Sequence, residues 1–414
     1  MKSAASFHCR PLGQAEQMMW MADRISPLNF MVSARVEGNL DFDAIRAGVE
    51  VMVTRYPVLL LSIEDLAGAG PNLVPAQRPI SIDVLAGGHW AETAVQDINR
   101  PFDCPIEPLI RVRWLRNSDH HLLMLTLHHS IADGRAGLTV LQSLLAGIEG
   151  FLKGEAGTVK ARPPGLAIED RPMTVRGGNN HPVAARGLRF EDAPGSQMQR
   201  RTVILPFCFD EKTTERVTHA SRQAGCTVHG LLSATHLQAV AEEHGSGMHT
   251  LSLSSPLDLR RRMTDYHPEE VGLFVGNSHL VYGVDPGVAP WSLARRISGD
   301  IKRASAANSA LGPRFDGRVQ SLRKIYEARA STAISNLGRI KFADDFSQLE
   351  IKEIHFAVAC STMGDQIVTT TCHAGRMTWC LCPALPTIDG ERARRIARRS
   401  VERLIEAAEQ PAYF

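Results

Sequence analysis

The stretch "LTLHHSIADGRAG", residues 125–137, sets His128 beside His129, puts Asp133 four residues after the second histidine, and follows the aspartate with Gly134. Imidazoles and a carboxylate at the end of an apolar run can do several kinds of chemistry. A structural role is one: Asp133 precedes a helical pattern and can cap it, and a strand-end histidine can be a satisfied polar residue. A metal site drawing on His120, His121, His128, His129 and Asp133 needs three or four ligands converging on one point. Adjacent residues of an extended chain point to opposite faces, and His120 and His121 lie more than about 20 Å upstream along a strand, so geometry argues against it. A serine hydrolase wants its nucleophile in a Gly-x-Ser-x-Gly turn, which "GSG" at 245–247 does not supply. The remaining chemistry is general base catalysis. One histidine takes a proton from an incoming hydroxyl or amine, Asp133 anchors the loop, and an activated thioester makes a protein nucleophile unnecessary. Such a base contributes on the order of 10²–10⁴ in rate.

The flanking pattern must hold that motif in place. "HLLMLTL" (121–127) is nearly continuous apolar sequence and reads as a strand buried on both faces. Leu138, Leu141, Leu145 and Ile148 then mark a helix. The motif therefore sits at a strand-to-helix junction. Upstream, "NFMVSARVEG" alternates like a half-buried strand, Ile45, Val49, Met52, Val53 and Tyr56 share a helical face that Pro57 ends, and "VLLLSI" is a strand. Residues 154–200 are rich in Pro, Gly and Arg without period and read as a linker or crossover. Beyond them come a strand at "RTVILPF", and a helix at "TVHGLLSATHLQAVAEEHG" with Val228, Leu231, Leu232, Thr235 and Ala239 inward. A strand at "TLSLSSPLDL", a hairpin turning at Ala374-Gly375, and a basic C-terminal helix complete the second half.

The chain has 414 residues, 44% hydrophobic and 22% charged, with net charge +2. This is an ordinary globular composition with room for two domains. Nothing in the charge suggests nucleic acid. No apolar run reaches the ~20 residues of a membrane span, and the N-terminus lacks the apolar core of a signal peptide, so a cytoplasmic protein is expected. The eight cysteines are scattered and read as reduced, mostly buried thiols, with Cys380 and Cys382 on one strand face.

"HHSIADG" resembles the HHxxxDG motif of the condensation-domain and chloramphenicol-acetyltransferase-like acyltransferase superfamily. "PLGQAEQMMWM" (11–21), "VTRYPVLLLSI" (53–63), "SSPLDLRRRM" (254–263), "VGLFVGNSHL" (271–280) and "ISNLG" (334–338) are similar to further family stretches in the family's order. The resemblance spans roughly residues 8–385 and is strongest to stand-alone polyketide-associated acyltransferases, typified by phthiocerol dimycocerosyl transferase. The DFGWG motif of plant-type enzymes is absent. The resemblance implies an α/β fold of two pseudo-symmetric mixed-sheet domains in a V, 1–153 and 201–414 joined by 154–200, with a tunnel at their interface. It implies that His129 is the base, that His128, Asp133 and Gly134 support the site, and that Asp133 pairs with an arginine of the second half. Arg260 matches best, with Arg261 and Arg262 as neighbours. Asn277, Ser335 and Asn336 are candidate oxyanion or substrate donors; turn capping is the alternative role for each.

The expected reaction is transfer of an acyl group from acyl-CoA or an acyl carrier protein to a small-molecule alcohol, forming an ester in polyketide, lipid or other secondary metabolism. The thioester is the substrate, and no further cofactor, metal or nucleic acid is expected. A monomer is expected. Two alternatives stand beside it: a condensation-type enzyme making amides from an amine acceptor, and an inactive homologue that binds a carrier protein or ligand. The C-terminal helix carries Arg392, Arg394, Arg395, Arg398, Arg399 and Arg403, which read either as an ordinary solvated helix face or as a docking surface for an acidic carrier.

Overall fold

The computed structural model describes residues 10–66, 70–155, 158–174, 187–190, 199–306, 329–342, 346–360 and 364–409. Residues 1–9, including Cys9, and most of the 175–198 part of the expected linker lie outside them.

The first half runs β1 (Arg10–Pro11), α1 (Gln14–Asp23), β2 (Asn29–Glu37), α2 (Phe42–Arg55), β3 (Leu61–Leu66), β4 (Gly70–Pro75), β5 (Ile82–Ala86), α3 (Trp90–Ile98), β6 (Ile110–Arg116), β7 (His121–His128) and α4 (Gly134–Leu152). The second runs β8 (Arg201–Thr202), β9 (Leu205–Phe209), α5 (Glu211–Gln223), α6 (Val228–Glu242), β10 (His249–Asp258), β11 (Val275–Val284), α7 (Trp291–Ala306), β12 (Thr332–Arg339), β13 (Glu350–Val358), β14 (Gln366–His373), β15 (Arg376–Leu385) and α8 (Gly390–Glu409). Among the described residues β1, β4 and β3 form a small sheet. The two large mixed sheets are ordered β13-β2-β7-β6-β5 and β11-β10-β12-β14-β15-β8, with β9 also on β15.

Strand β13 belongs to the second half in sequence but pairs antiparallel with β2 of the first. It makes β2 an interior strand, and β2 is buried at nearly every position. The alternation that reads as half-buried is misleading for a physical reason. Ser33 bonds His355 Nδ1 at 3.1 Å, and the Arg35 guanidinium lies 3.7 Å from Glu353, so the polar face of β2 is covered by polar partners on β13. Helix α6 departs from its one-sided pattern in a similar way. Its buried residues include Gly230 to Ala241 without a break, because α5, α7 and α8 pack around it.

Residues 58–60, read as the start of a strand, belong with Pro57 to a 3-10 turn that leads into β3. The described part of 158–174 is fastened down: Arg162 bonds Glu269 at 2.7 Å, Arg171 pairs with Asp265 and Glu270, and Ile168 is buried. Cys360, Cys380 and Cys382 are fully buried, whereas Cys208 is exposed. The arginines of α8 do not form a free basic surface. Arg395 bonds Glu243 at 2.8 Å, Arg399 bonds Glu242 at 3.0 Å, Arg403 also binds Glu242, and Arg394 pairs with Glu391. A docking surface needs available charge, and carboxylates at the C-terminal end of α6 and on α8 itself pair with most of these arginines. Ile396, Val401 and Leu404 form the buried stripe, as the pattern indicates.

Candidate active site

β7 ends at His128, and α4 starts at Gly134. The two histidines between them do opposite things. The His128 ring is buried, and its Nδ1 accepts the Ser130 N–H at 3.1 Å. Its proton therefore sits on Nε2, 3.5 Å from Asp23 Oδ2. The His129 ring is half-buried, and its Nδ1 lies 3.1 Å from the Ala132 carbonyl oxygen. A carbonyl can only accept, so Nδ1 carries the proton and Nε2 keeps a lone pair. Burial pushes the His129 imidazole down to about 4, against the opposing pull of Asp133. At neutral pH the ring is an uncharged base with a fixed tautomer. Its face rests on Phe30 of β2 at 4.9 Å between centroids, and Phe30 in turn meets Phe356 of β13 at 6.3 Å. The exchanged strand thus helps build the floor under His129.

Asp133 fulfils both roles set out for it from sequence. Oδ1 accepts the Ala136 N–H at 2.9 Å and caps α4. The same oxygen accepts Nη2–H of Arg260 at 2.8 Å, and Oδ2 accepts the Phe274 N–H at 2.9 Å. Asp133 N–H donates to Gly272 O at 3.2 Å. Burial works to raise the carboxyl pKa, but the Arg260 charge and these hydrogen bonds hold it below the usual range. Burial likewise works to lower Arg260, and Asp133 and Asp258 outweigh it. Arg260 is 5% exposed and lies against the Phe274 ring, so the inward arginine of the three is Arg260. No hydrogen bond joins Asp133 to His129. The aspartate clamps the loop to the second half and leaves the imidazole to the Ala132 carbonyl.

Gly134 is needed for close approach. A Cβ there would come within 2.9 Å of Phe356 and 3.0 Å of Leu337. Leu337 brings β12 against the first turn of α4. Ser335 lies on that same side of β12, and its register partner Thr369 bonds the carbonyl of Phe356 on β13 at 2.6 Å. Asn336 has the opposite orientation. Its Oδ1 accepts the Gly338 N–H at 2.8 Å, at a residue with φ of +72°, so it caps a turn. Asn277 is exposed on β11, with Oδ1 accepting from Ser254. The three candidate donors are therefore separated: Ser335 faces the first half, Asn277 borders an open face, and Asn336 serves the backbone.

The sequence reading missed Ser130, Glu16 and Asp23. Ser130 Oγ donates to the Glu16 carbonyl at 2.9 Å, and the Glu16 carboxylate binds Arg10 through two 2.7 Å hydrogen bonds. Helix α1 is thereby tied to the histidine loop. The signal was present in "PLGQAEQMMWM", where Glu16 falls three residues after Gly13 and accepts its N–H at 2.8 Å.

Residues 201–385 match the family described as phthiocerol/phthiodiolone dimycocerosyl transferase C-terminus. A linear gramicidin synthase from Brevibacillus parabrevis is 26% identical over 167 residues, which is 37% of this chain and 2% of that protein. The chain thus spans only a small part of the curated relatives it matches. Polyketide synthase associated protein 5 from Mycobacterium tuberculosis superposes with a TM-score of 0.70 at 16% identity, covering 97% of this chain and 98% of the other. Trichothecene 15-O-acetyltransferase TRI3 from Fusarium sporotrichioides gives 0.75 at 12% identity, covering 98% and 97%. No helix among the described residues is long and apolar enough to cross a membrane.

Proposed function

We propose that this chain, a member of the condensation-domain and chloramphenicol-acetyltransferase-like superfamily, transfers an acyl group from a thioester to a hydroxyl acceptor. The His129 imidazole carries the reading: Nδ1–H is held by Ala132 O, and Nε2 has a lone pair and no hydrogen bond to the described residues. His129 Nε2 takes the hydroxyl proton as the oxygen attacks the thioester carbonyl. The tetrahedral intermediate collapses, the C–S bond breaks, and the thiolate leaves with the proton His129 returns. Ser335 is the favoured donor to the oxyanion, a contribution typically worth about 3–4 kcal/mol. Asp133 and Arg260 act by holding the loop. The donor is an acyl-CoA or a carrier-bound acyl thioester.

Ester formation is supported by the match to a dimycocerosyl transferase C-terminus. The local similarity to a gramicidin synthase favours a second reading, amide formation with an amine acceptor. Both use the same base. Incubating the protein with a panel of acyl thioesters and matched alcohols and amines, with products read by mass spectrometry, separates them. Esters are expected. Amides alone would replace the first reading with the second, and consumption of no thioester would overturn both.

A further inference from the structure

The two faces of the C-terminal sheet differ in chemistry, and register tells them apart. Ser255 on β10 meets His229 Nε2 of α6 at 3.1 Å, so this side of β10 faces the helical layer. Ser254 faces the other way and donates from Oγ to Asn277 Oδ1 on β11 at 2.9 Å. His279 stands opposite Ser254 in the β10–β11 register. Ser335 lies on that side too, because Ser254 pairs with Ala333 in β12.

This second face looks toward the histidine motif. Val275, opposite Asp258, packs on the cluster of Met19, Ala22, Leu28 and Leu273, which includes α1. Asp258 Oδ2 lies 3.0 Å from Nε of Arg135, in the first turn of α4. The face therefore starts at α4 and recedes along β11; Val275 to His279 covers about 13 Å of strand. Over β14 the face is sealed by β13, through Thr369 to the Phe356 carbonyl and Thr371 to the Ile354 carbonyl. Over β10 and β11 it is open at Pro256 and Asn277, which are exposed, and at His279, which is half-buried, while Ser254 is buried at 8% exposure.

The open stretch carries no charge. Its positions are Ser254 and Pro256 on β10, and Asn277, His279 and Val281 on β11; Ser252 lies beyond it, buried and bonded to Ser331. Burial pushes the His279 imidazole below its ordinary value, so it is neutral at physiological pH. A hydrocarbon chain laid here would take water from these side chains without replacing its hydrogen bonds, and an anion would find no cation. Neutral hydroxyl and amide groups satisfy both requirements.

We propose that Ser254, Asn277 and His279 form a subsite for a neutral chain bearing hydroxyl or amide groups, whose reacting end lies at His129. Two substrates have this chemistry: the pantetheine arm of a thioester donor, and an acceptor with a second hydroxyl. The role of the subsite rests on the acyl-transfer reading, but its binding test does not. S-methyl pantetheine, 1,3-nonanediol and the control 1-nonanol are titrated into the full chain by isothermal calorimetry, with wild type, His279→Leu, Ser254→Ala and His279→Gln. His279→Leu and Ser254→Ala are expected to weaken one of the two polar probes by about 2- to 12-fold, the range for a lost neutral hydrogen bond. Binding of 1-nonanol is unchanged, and His279→Gln, which keeps a donor and an acceptor, recovers part of the loss. Loss on S-methyl pantetheine identifies the donor arm; loss on the diol identifies the acceptor. Unchanged affinity for both polar probes, equal weakening of 1-nonanol, or no binding of either polar probe by wild type overturns the subsite. A chain that transfers no acyl group yet shows the selective loss retains the subsite and loses the acyltransferase reading.

Discussion

His129 and His236 occupy the two halves of the molecule, and burial pushes both imidazoles down, to about 4 and about 3. Their environments otherwise differ. His236, inside α6, has Nδ1 at 2.9 Å from Ser400 Oγ and Nε2 at 2.9 Å from Thr332 Oγ1. Both nitrogens are used, and the ring joins α8 to β12 through α6. His129 uses one nitrogen on a backbone carbonyl and leaves the other without a hydrogen bond to the described residues. A depressed imidazole pKa therefore does not mark chemistry here; structural networks perturb pKa values too. Between these two residues, the difference is the nitrogen that His129 leaves unfilled.

Substitution of each residue should break this comparison in opposite ways. His129→Ala is expected to lower transfer by about 10²–10⁴-fold with little change in melting temperature. His236→Ala strands the buried Thr332 hydroxyl at about 1–3 kcal/mol and takes one of two hydrogen bonds from Ser400, which keeps the Ile396 carbonyl at 2.7 Å; it should lower the denaturant midpoint while folded protein keeps its turnover. Steady-state rates beside urea melts check both, and a melt penalty for His129→Ala as large as that for His236→Ala would erase the distinction. Next in size, Arg260→Ala should cost about 3–5 kcal/mol by leaving the buried Asp133 carboxylate without a counter-charge, and Asp133→Ala should cost less, because Arg260 keeps Asp258 at 3.2 Å. The double variant should be clearly less than additive in urea melts. Additive costs would mean that the 2.8 Å contact carries no coupling. Ser335→Ala should lower kcat by about 10²–10³-fold if its hydroxyl serves the oxyanion, a loss that Asn336→Ala should not share; Asn336→Ala should lower stability only slightly. The smallest effect is expected on α8. Arg395→Ala should leave the urea midpoint essentially unchanged, as exposed ion pairs contribute little, and change KM for a carrier-bound donor by less than twofold, because Arg395 is already paired with Glu243.

The histidine junction was legible because its logic is local. A buried apolar run, a capping aspartate and a helical period sit within about thirty residues, and the family-like "SSPLDLRRRM" supplied the arginine. Which arginine turns inward could not be read from a run of three; the 3-10 turn at 260–262 and the Phe274 ring decide it. The floor of the site was not legible. Nothing in "EIKEIHFAV" states that this strand leaves its own half to pair with β2, because a strand's pattern reports which faces are buried, not which neighbour buries them. The polar residues of β2 were read as solvent-facing for the same reason: Ser33 and Arg35 find their partners, His355 and Glu353, more than three hundred residues away.

The central claim, a neutral His129 acting through Nε2, has a pH signature. Its folded pKa lies below its unfolded value of about 6.5, so the unfolded chain binds the proton more readily. The stability this group contributes is complete above about pH 6.5 and is lost as pH falls toward 4. Activity should follow the folded value, so the decisive measurement is kcat/KM for thioester-to-alcohol transfer between pH 4.5 and 8, with thermal melts confirming folded protein at each point. The account predicts a level profile down to about pH 5, with the acid limb turning down only toward about 4. An acid limb centred near the ordinary imidazole value, or a rate that His129→Ala leaves intact at every pH, would contradict it.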